Sequence, residues 1–164
     1  MVKLIAPILL FAALASSGCS GIQGGVSAYD RGDYAAALVE FRPLAEEGYR
    51  LAQYTLGVMY AEGQGVPQDY HAAFRWFRRA AGQGVPQAQL ELGRLYQRGL
   101  GVPQDFVLAH AWINLATASA DPEDAVYYGR ERDALAVAMT PEQLASAQRL
   151  ARELLGSTTQ RLRR

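Results

Sequence analysis

The chain is almost devoid of cysteine: Cys19 is the only one in 164 residues. No disulfide can form within it, and no multi-cysteine zinc site is possible. Histidine is nearly as scarce. His71 and His110 stand far apart with no neighbouring pattern of ligands, so neither a metal nor a cofactor is expected, and both read as structural. Charge of one sign is not in excess: 16 basic residues meet 16 acidic ones, which argues against nucleic acid or an acidic membrane surface as a bulk partner. Lysine is confined to Lys3, and every other basic residue is Arg. Beyond the N-terminus no stretch is apolar enough to span a bilayer. Catalytic signatures are missing as well. There is no G-x-S-x-G, and the glycine pairs Gly63/Gly65 and Gly99/Gly101 lack the third glycine and following lysine of a phosphate loop. No catalytic residue is expected, and the protein reads as a non-enzyme.

What is present begins with an address. Residues 1–18 carry Lys3, an apolar run from Leu4 to Leu14 and then small residues, the three-part layout of a secretory signal. That run would rise only about 16 Å as a helix, roughly half a bilayer core. Ser17-Gly18-Cys19 resembles a bacterial lipobox, although Ser16 stands where that pattern prefers Leu. The resemblance implies acylation of Cys19, a periplasmic lipoprotein, and outer-membrane sorting through Ser20. The other reading is ordinary cleavage after Ala15, leaving a soluble periplasmic or secreted chain. Residues 19–25, rich in Gly and Ser, read as a flexible tether.

The middle of the chain repeats itself at an offset of 36 residues. Segments 51–86 and 87–122 share 15 of 36 aligned positions. Ala52, Leu56 and Tyr60, repeated as Ala88, Leu92 and Tyr96, form one stripe of a helix. Gly57 and Gly93 lie inside that helix, where glycine costs about 1 kcal/mol relative to alanine. The cost is understandable where a partner helix crosses too closely for a Cβ. Gly63 and Gly99 supply the left-handed residue that ends the helix, and Gly65-Val66-Pro67, repeated as Gly101-Val102-Pro103, makes the turn. Asp69 and Asp105 are placed as N-caps of a second helix. That helix carries Ala73, Trp76 and Ala80, repeated as Ala109, Trp112 and Ala116, with the large ring expected against small partners along the hairpin seam.

The strings L-G-x-x-Y-x-x-G-x-G-V-P-Q-D and A-x-x-W, each matched twice, resemble the Sel-one-like repeat, a longer relative of the tetratricopeptide repeat. The resemblance implies an all-α fold, a short right-handed α/α solenoid of stacked helix-turn-helix repeats, in a bacterial exported protein that binds protein or peptide. Some relatives are proposed to act on β-lactams, but those are rich in paired cysteines, which this chain lacks. The alternatives are a binder of cell-wall glycan or lipid and, last, a cell-wall or β-lactam-directed enzyme.

The flanks extend the pattern. Residues 26–50 read as a shortened N-terminal copy, with Tyr29 and Gly32 spaced as Tyr60 and Gly63 are. Ala37, Phe41 and Gly48 align with Ala73, Phe77 and Gly84. Downstream, 123–156 reads as capping helices. Asp121-Pro122 opens one, Thr140-Pro141-Glu142-Gln143 is a capping box for another, and Leu144, Ala147, Ala151 and Leu154 share a face. Gly156 is expected to end that helix and 157–164 to be a polar tail. The two copies differ in one informative way: Arg75, Arg78 and Arg79 become Ala111, Asn114 and Leu115. The C-terminal helices are therefore expected to cover the second copy while the first stays solvated. Arg75-Trp76-Phe77-Arg78-Arg79 reads as a helix whose rings pack inward and whose arginines meet water; an anion patch is the other reading.

In such solenoids the first helices of successive hairpins line the concave face, where partners bind. The positions there that differ between the copies are Tyr54, Thr55, Val58 and Glu62, then Leu90, Glu91, Arg94 and Arg98, and these form the candidate partner surface.

Overall fold

A computed structural model describes residues 21–162, with side chains through residue 156. Cys19, the leader and the sites of cleavage fall outside the described residues. Those described form eight helices and no strand. They are α1 (21–30), α2 (Tyr34–Glu46), α3 (Arg50–Glu62), α4 (Tyr70–Gly82), α5 (Pro86–Arg98), α6 (Phe106–Ser119), α7 (Pro122–Ala136) and α8 (Pro141–Leu162). Helices α1 to α6 make three successive hairpins, and α7 and α8 both pack on α6. The all-α repeat solenoid read from the period is the architecture found.

Each hairpin closes on the same contact. A Cβ added to Gly57 would lie 2.5 Å from the Phe77 ring, and one added to Gly93 would lie 2.6 Å from Ile113 Cγ1 and 3.0 Å from the Ala109 carbonyl oxygen. Phe77 and Ile113 are fully buried, and their counterpart Phe41, one repeat earlier, is buried as well. The side chain at the seam is thus Phe77 or Ile113, a correction to the expectation placed on Trp76 and Trp112. Trp76 is half-buried against the N-terminal core between α2 and α3, formed by residues such as Phe41, Leu44 and Leu56. Helical spacing of about 100° per residue separates neighbours 76 and 77, so only one of them can face the seam.

The turns behave as expected. Gly63 and Gly99 end α3 and α5 at φ 73° and 68°, and Asp69 and Asp105 accept from Ala72 N and Leu108 N at 3.0 and 2.9 Å. Gln68 and Gln104 complete the turn by donating to the carbonyls of Ala61 and Gln97. Stacking runs through the second glycine of each turn. A Cβ on Gly65 would fall 2.7 Å from the Tyr34 carbonyl oxygen, and one on Gly101 would overlap the Tyr70 carbonyl, so each turn rests on the start of the previous second helix. At φ near 70° both positions also favour glycine on backbone grounds.

Two boundaries differ from expectation. Residues 21–25 are not a tether but the opening of α1: a Cβ on Gly25 would meet the Phe41 ring at 2.8 Å, and Ile22 packs on the N-terminal core. The glycine-rich composition read as flexibility serves a close helix crossing instead. Gly156 does not end the last helix, and 157–162 is not a frayed tail: α8 continues to Leu162, since Gly156 does not take the left-handed conformation that would turn the chain. The capping box holds, with Thr140 N donating to Gln143 Oε1 and Gln143 N to Thr140 Oγ1. The cover over the second copy holds too. Ala111 and Leu115 are buried where α8 packs on α6, whereas Arg75, Arg78 and Arg79 are exposed.

Gly93→Ala is expected to cost about 1–3 kcal/mol through overpacking against Ile113 and the Ala109 carbonyl, outweighing the roughly 1 kcal/mol that alanine gains in a helix. Gly156→Ala, with open space around it, is expected to be neutral or stabilising by up to about 1 kcal/mol. Urea unfolding of the two variants checks the contrast; equal effects would show that crossing distance is not the constraint.

Candidate functional site

Helices α3 and α5 meet directly, so the first helices of the hairpins form the closely spaced inner layer of the solenoid. One stripe of α3 lines that layer along its length, and two adjoining depressions open on it.

The first is apolar. Tyr54, Thr55 and Val58 of α3 line it with Val26 and Tyr29 of α1 and Phe41 of α2, enclosing about 180 Å³. Burial raises the Tyr54 hydroxyl above its ordinary range, with the Glu91 carboxylate adding to the effect. Its ring lies 5.9 Å from that of Phe77, so the side chain is braced by the same residue that closes the hairpin. Tyr29 donates to Gln64 Oε1 at 2.8 Å, which ties α1 to the turn after α3 and holds that wall in place.

The second depression is polar and larger, about 530 Å³, between α3, α5 and α7. Glu62, Glu91, Arg94 and Arg98 line it, together with Tyr127 and Glu131 of α7. Arg94 is the hub. Its guanidinium donates to Glu91 Oε1 at 2.5 Å, to the Tyr127 hydroxyl at 2.8 Å, and to both oxygens of Glu131, Nε reaching Oε2 at 3.0 Å. The bidentate pair holds the Glu131 carboxyl below its usual range, first through the hydrogen bonds from Arg94, and keeps Arg94 firmly protonated. The wall of the pocket is therefore preset, while Glu62 and Arg98 stay exposed at its mouth.

The candidate surface thus divides. Tyr54, Thr55, Val58, Glu62, Glu91, Arg94 and Arg98 all line one of the two depressions. Leu90 does not, and its assignment is corrected: at 4% exposure it lies in the core with Tyr128 and Leu135, because α7 packs over it. A variable apolar position on the inner helix marked a contact with α7, not a partner's.

Two further residues have a role that the repeat pattern alone did not reveal, although both copies share them. Gln53 and Gln89 are buried, and each donates from Nε2 to a carbonyl at the end of the preceding second helix, Ala45 at 3.0 Å and Ala81 at 3.2 Å. They satisfy helix C-terminal carbonyls across the repeat boundary. Gln83 completes the first by donating to Gln53 Oε1 at 2.8 Å; its counterpart is Ser119, and Gln89 Oε1 has no partner. The identity of Gln at one repeat position is the signal that marks them.

Among the described residues no group of three His, Cys, Asp or Glu is placed to hold a metal ion, and no helix is long and apolar enough to cross a membrane. His110 is buried in α6 and its Nδ1 has no partner.

The fold and its repeated hairpin define an all-α helical-repeat solenoid. More narrowly, the chain carries two Sel1 repeats: the Sel1 repeat model matches residues 50–85 and 86–121, the same period one residue earlier in phase. No curated protein matches the chain. Several solved structures are similar, among them these two. One is a protective antigen of uropathogenic Escherichia coli with an SLR fold, at 29% identity and a TM-score of 0.80 over 86% of this chain. The other is a Sel1 repeat protein from Oxalobacter formigenes, at 26% identity and a TM-score of 0.63 over 79% of this chain. This chain spans 30% of the first and 54% of the second. Sel1 repeats are generally non-catalytic protein-interaction scaffolds.

Burial first, and then the Arg132 charge, lowers the His110 pKa from its ordinary value. The unfolded chain therefore binds more protons than the folded one just below the ordinary histidine pKa, and stability falls as pH drops through that value. Between pH 7.5 and 5.5 the wild type should lose more stability than His110→Gln in paired urea titrations. Equal losses would remove His110 as the cause.

Proposed function

We propose that the chain is a non-enzymatic adaptor of the bacterial cell envelope that holds a peptide segment or protein face of one partner along the inner layer of its helices. The observation that carries this reading is the pairing of the two depressions on a single stripe of α3. An apolar crevice of about 180 Å³ takes one aliphatic side chain. The adjoining polar pocket offers Glu62 and Arg98 to main-chain or polar groups of the same segment. Binding surfaces of this kind draw their energy from a few desolvated anchors and their orientation from polar groups around them. The short array favours one peptide or one domain face over a large assembly of partners.

Location in the envelope rests on the sequence of the N-terminus: Lys3, the apolar run and Cys19 in a lipobox-like setting. In this reading Cys19 carries the lipid, and the chain sits on the periplasmic side of the outer membrane.

Two measurements test the proposal. Affinity capture from cross-linked envelope should recover one stoichiometric protein with the wild type. Val58→Asp, which places a charge in the apolar crevice, should reduce that recovery at least about tenfold at unchanged thermal stability, the loss expected for a disrupted anchor. Undiminished recovery would move the partner off the groove, and sedimentation with purified peptidoglycan alone would replace protein with glycan as ligand. Metabolic labelling with a radioactive fatty acid should mark the wild type and not Cys19→Ser; equal label in both would sink the anchor.

A further inference from the structure

A third depression lies outside the groove, between the start of α3 and the outer face of α4, and encloses about 680 Å³. Four guanidinium-bearing side chains line it: Arg50 from α3, and Arg75, Arg78 and Arg79 from α4. No carboxylate lines it. In a chain whose formal charges balance, this is a marked local excess of one sign.

Among the described residues none of these cations is held in an ion pair. The ion pairs among the described residues belong to Arg94 and Arg132. The guanidinium groups of Arg50, Arg75 and Arg78 make no hydrogen bond among the described residues, and Arg79 lies over the Trp76 ring at 4.7 Å, which fixes its direction without neutralising it. Arg50 occupies the first residue of α3, whose N-cap Tyr49 gives no side-chain cap, so a cation stands at the positive end of a helix dipole. An anion placed there relieves that arrangement.

The floor of the depression is already satisfied. Gln83 donates to the Gly48 carbonyl and to Gln53 Oε1, and Gln53 to the Ala45 carbonyl. Phe74 adds an apolar wall, held edge-on against Tyr96 at 5.6 Å. The feature belongs to one copy alone. The counterparts of Arg50, Arg75, Arg78 and Arg79 in the second copy are Pro86, Ala111, Asn114 and Leu115, and there α8 packs on the helix. Where the fold covers this face it is apolar; where the fold leaves it open it carries arginine.

We propose that this depression is a second binding surface, independent of the inner groove, that takes an acidic segment of a protein partner through Arg50, Arg75, Arg78 and Arg79. The planar fork of arginine pairs with carboxylates through two parallel hydrogen bonds, and an aromatic wall suits the methylene stem of a glutamate. Shape favours a side chain over a membrane: a bilayer surface cannot enter a hollow between two helices, whereas a carboxylate on a flexible stem can.

The test is fluorescence anisotropy of a labelled octaglutamate peptide with the full mature chain. Binding should saturate at low ionic strength and weaken as salt rises, because exposed charges are screened beyond about 8 Å at physiological salt. The double variant Arg75→Glu/Arg78→Glu should weaken it at least tenfold. Arg130→Glu/Arg149→Glu, the same change in net charge made on α7 and α8, should leave it within twofold. Arg75→Lys/Arg78→Lys should give an intermediate loss, since lysine keeps the charge but not the fork. Absence of peptide binding, or equal losses in both charge-reversed variants, would overturn the proposal. So would binding to phosphatidylglycerol vesicles that is lost in Arg75→Glu/Arg78→Glu while the peptide fails to bind, which would assign the face to a lipid surface.

Discussion

Each hairpin of this protein is built around a space in its first helix where a Cβ is missing and into which a bulky side chain of the second helix presses. Gly25 receives Phe41, Gly57 receives Phe77 and Gly93 receives Ile113. Glycine within a helix costs about 1 kcal/mol, and burying a Phe or Ile side chain contributes about 1.5–3 kcal/mol, so the exchange favours the crossing. Its geometric consequence matters more than its energy. Close crossing sets the spacing of the two helices, and that spacing recurs from hairpin to hairpin, so the units can stack with a constant step.

Stacking then follows from polar groups that the crossing leaves in place. The second glycine of each turn lets the loop settle on the start of the previous second helix, and Gln53 and Gln89 bind the carbonyls at its end. Each hairpin thereby grips both ends of the helix before it. The inner helices are drawn together, and the stripe of α3 facing inward becomes the floor of a groove with an apolar and a polar half. At the C-terminal end the pattern changes. Helix α7 lies over Leu90 and binds Arg94 through Glu131, while α8 covers the outer face of α6. The array is closed there by its own chain, on the inside by an ion pair and on the outside by apolar contact. The first full repeat keeps both of its faces open, one lined by Tyr54 and Val58 and the other by arginines.

Repetition makes much of this legible in the amino-acid sequence. Two copies in register separate the positions the fold needs from those it leaves free, and glycines, aspartates and small residues shared at one spacing correspond to crossings, turns and caps. Legibility fails where one composition serves two purposes. The glycines of residues 21–25 read as slack, yet they let α1 approach α2. Trp76 stands out by size and identity, yet its neighbour Phe77 fills the seam, because a helical period does not say which of two adjacent rings points inward. Leu90 varies between copies as a contact residue would, yet its variation answers to α7. Gln53 and Gln89 are visible as identities but give no sign of their burial, because a polar residue on an inner helix suggests solvent.

The sequence by itself determined the helical hairpin, its period, its caps and turns, and the class of protein, since all of these follow from local backbone preference and from spacing along the chain. Tertiary structure alone decided which variable positions remain accessible. Exposure at one helix depends on whether a later helix returns to cover it, and that return is set by the packing of α7 and α8 on α6. For the same reason only the folded chain brings Arg50 to the arginines of α4, and only there do four dispersed charges become one surface.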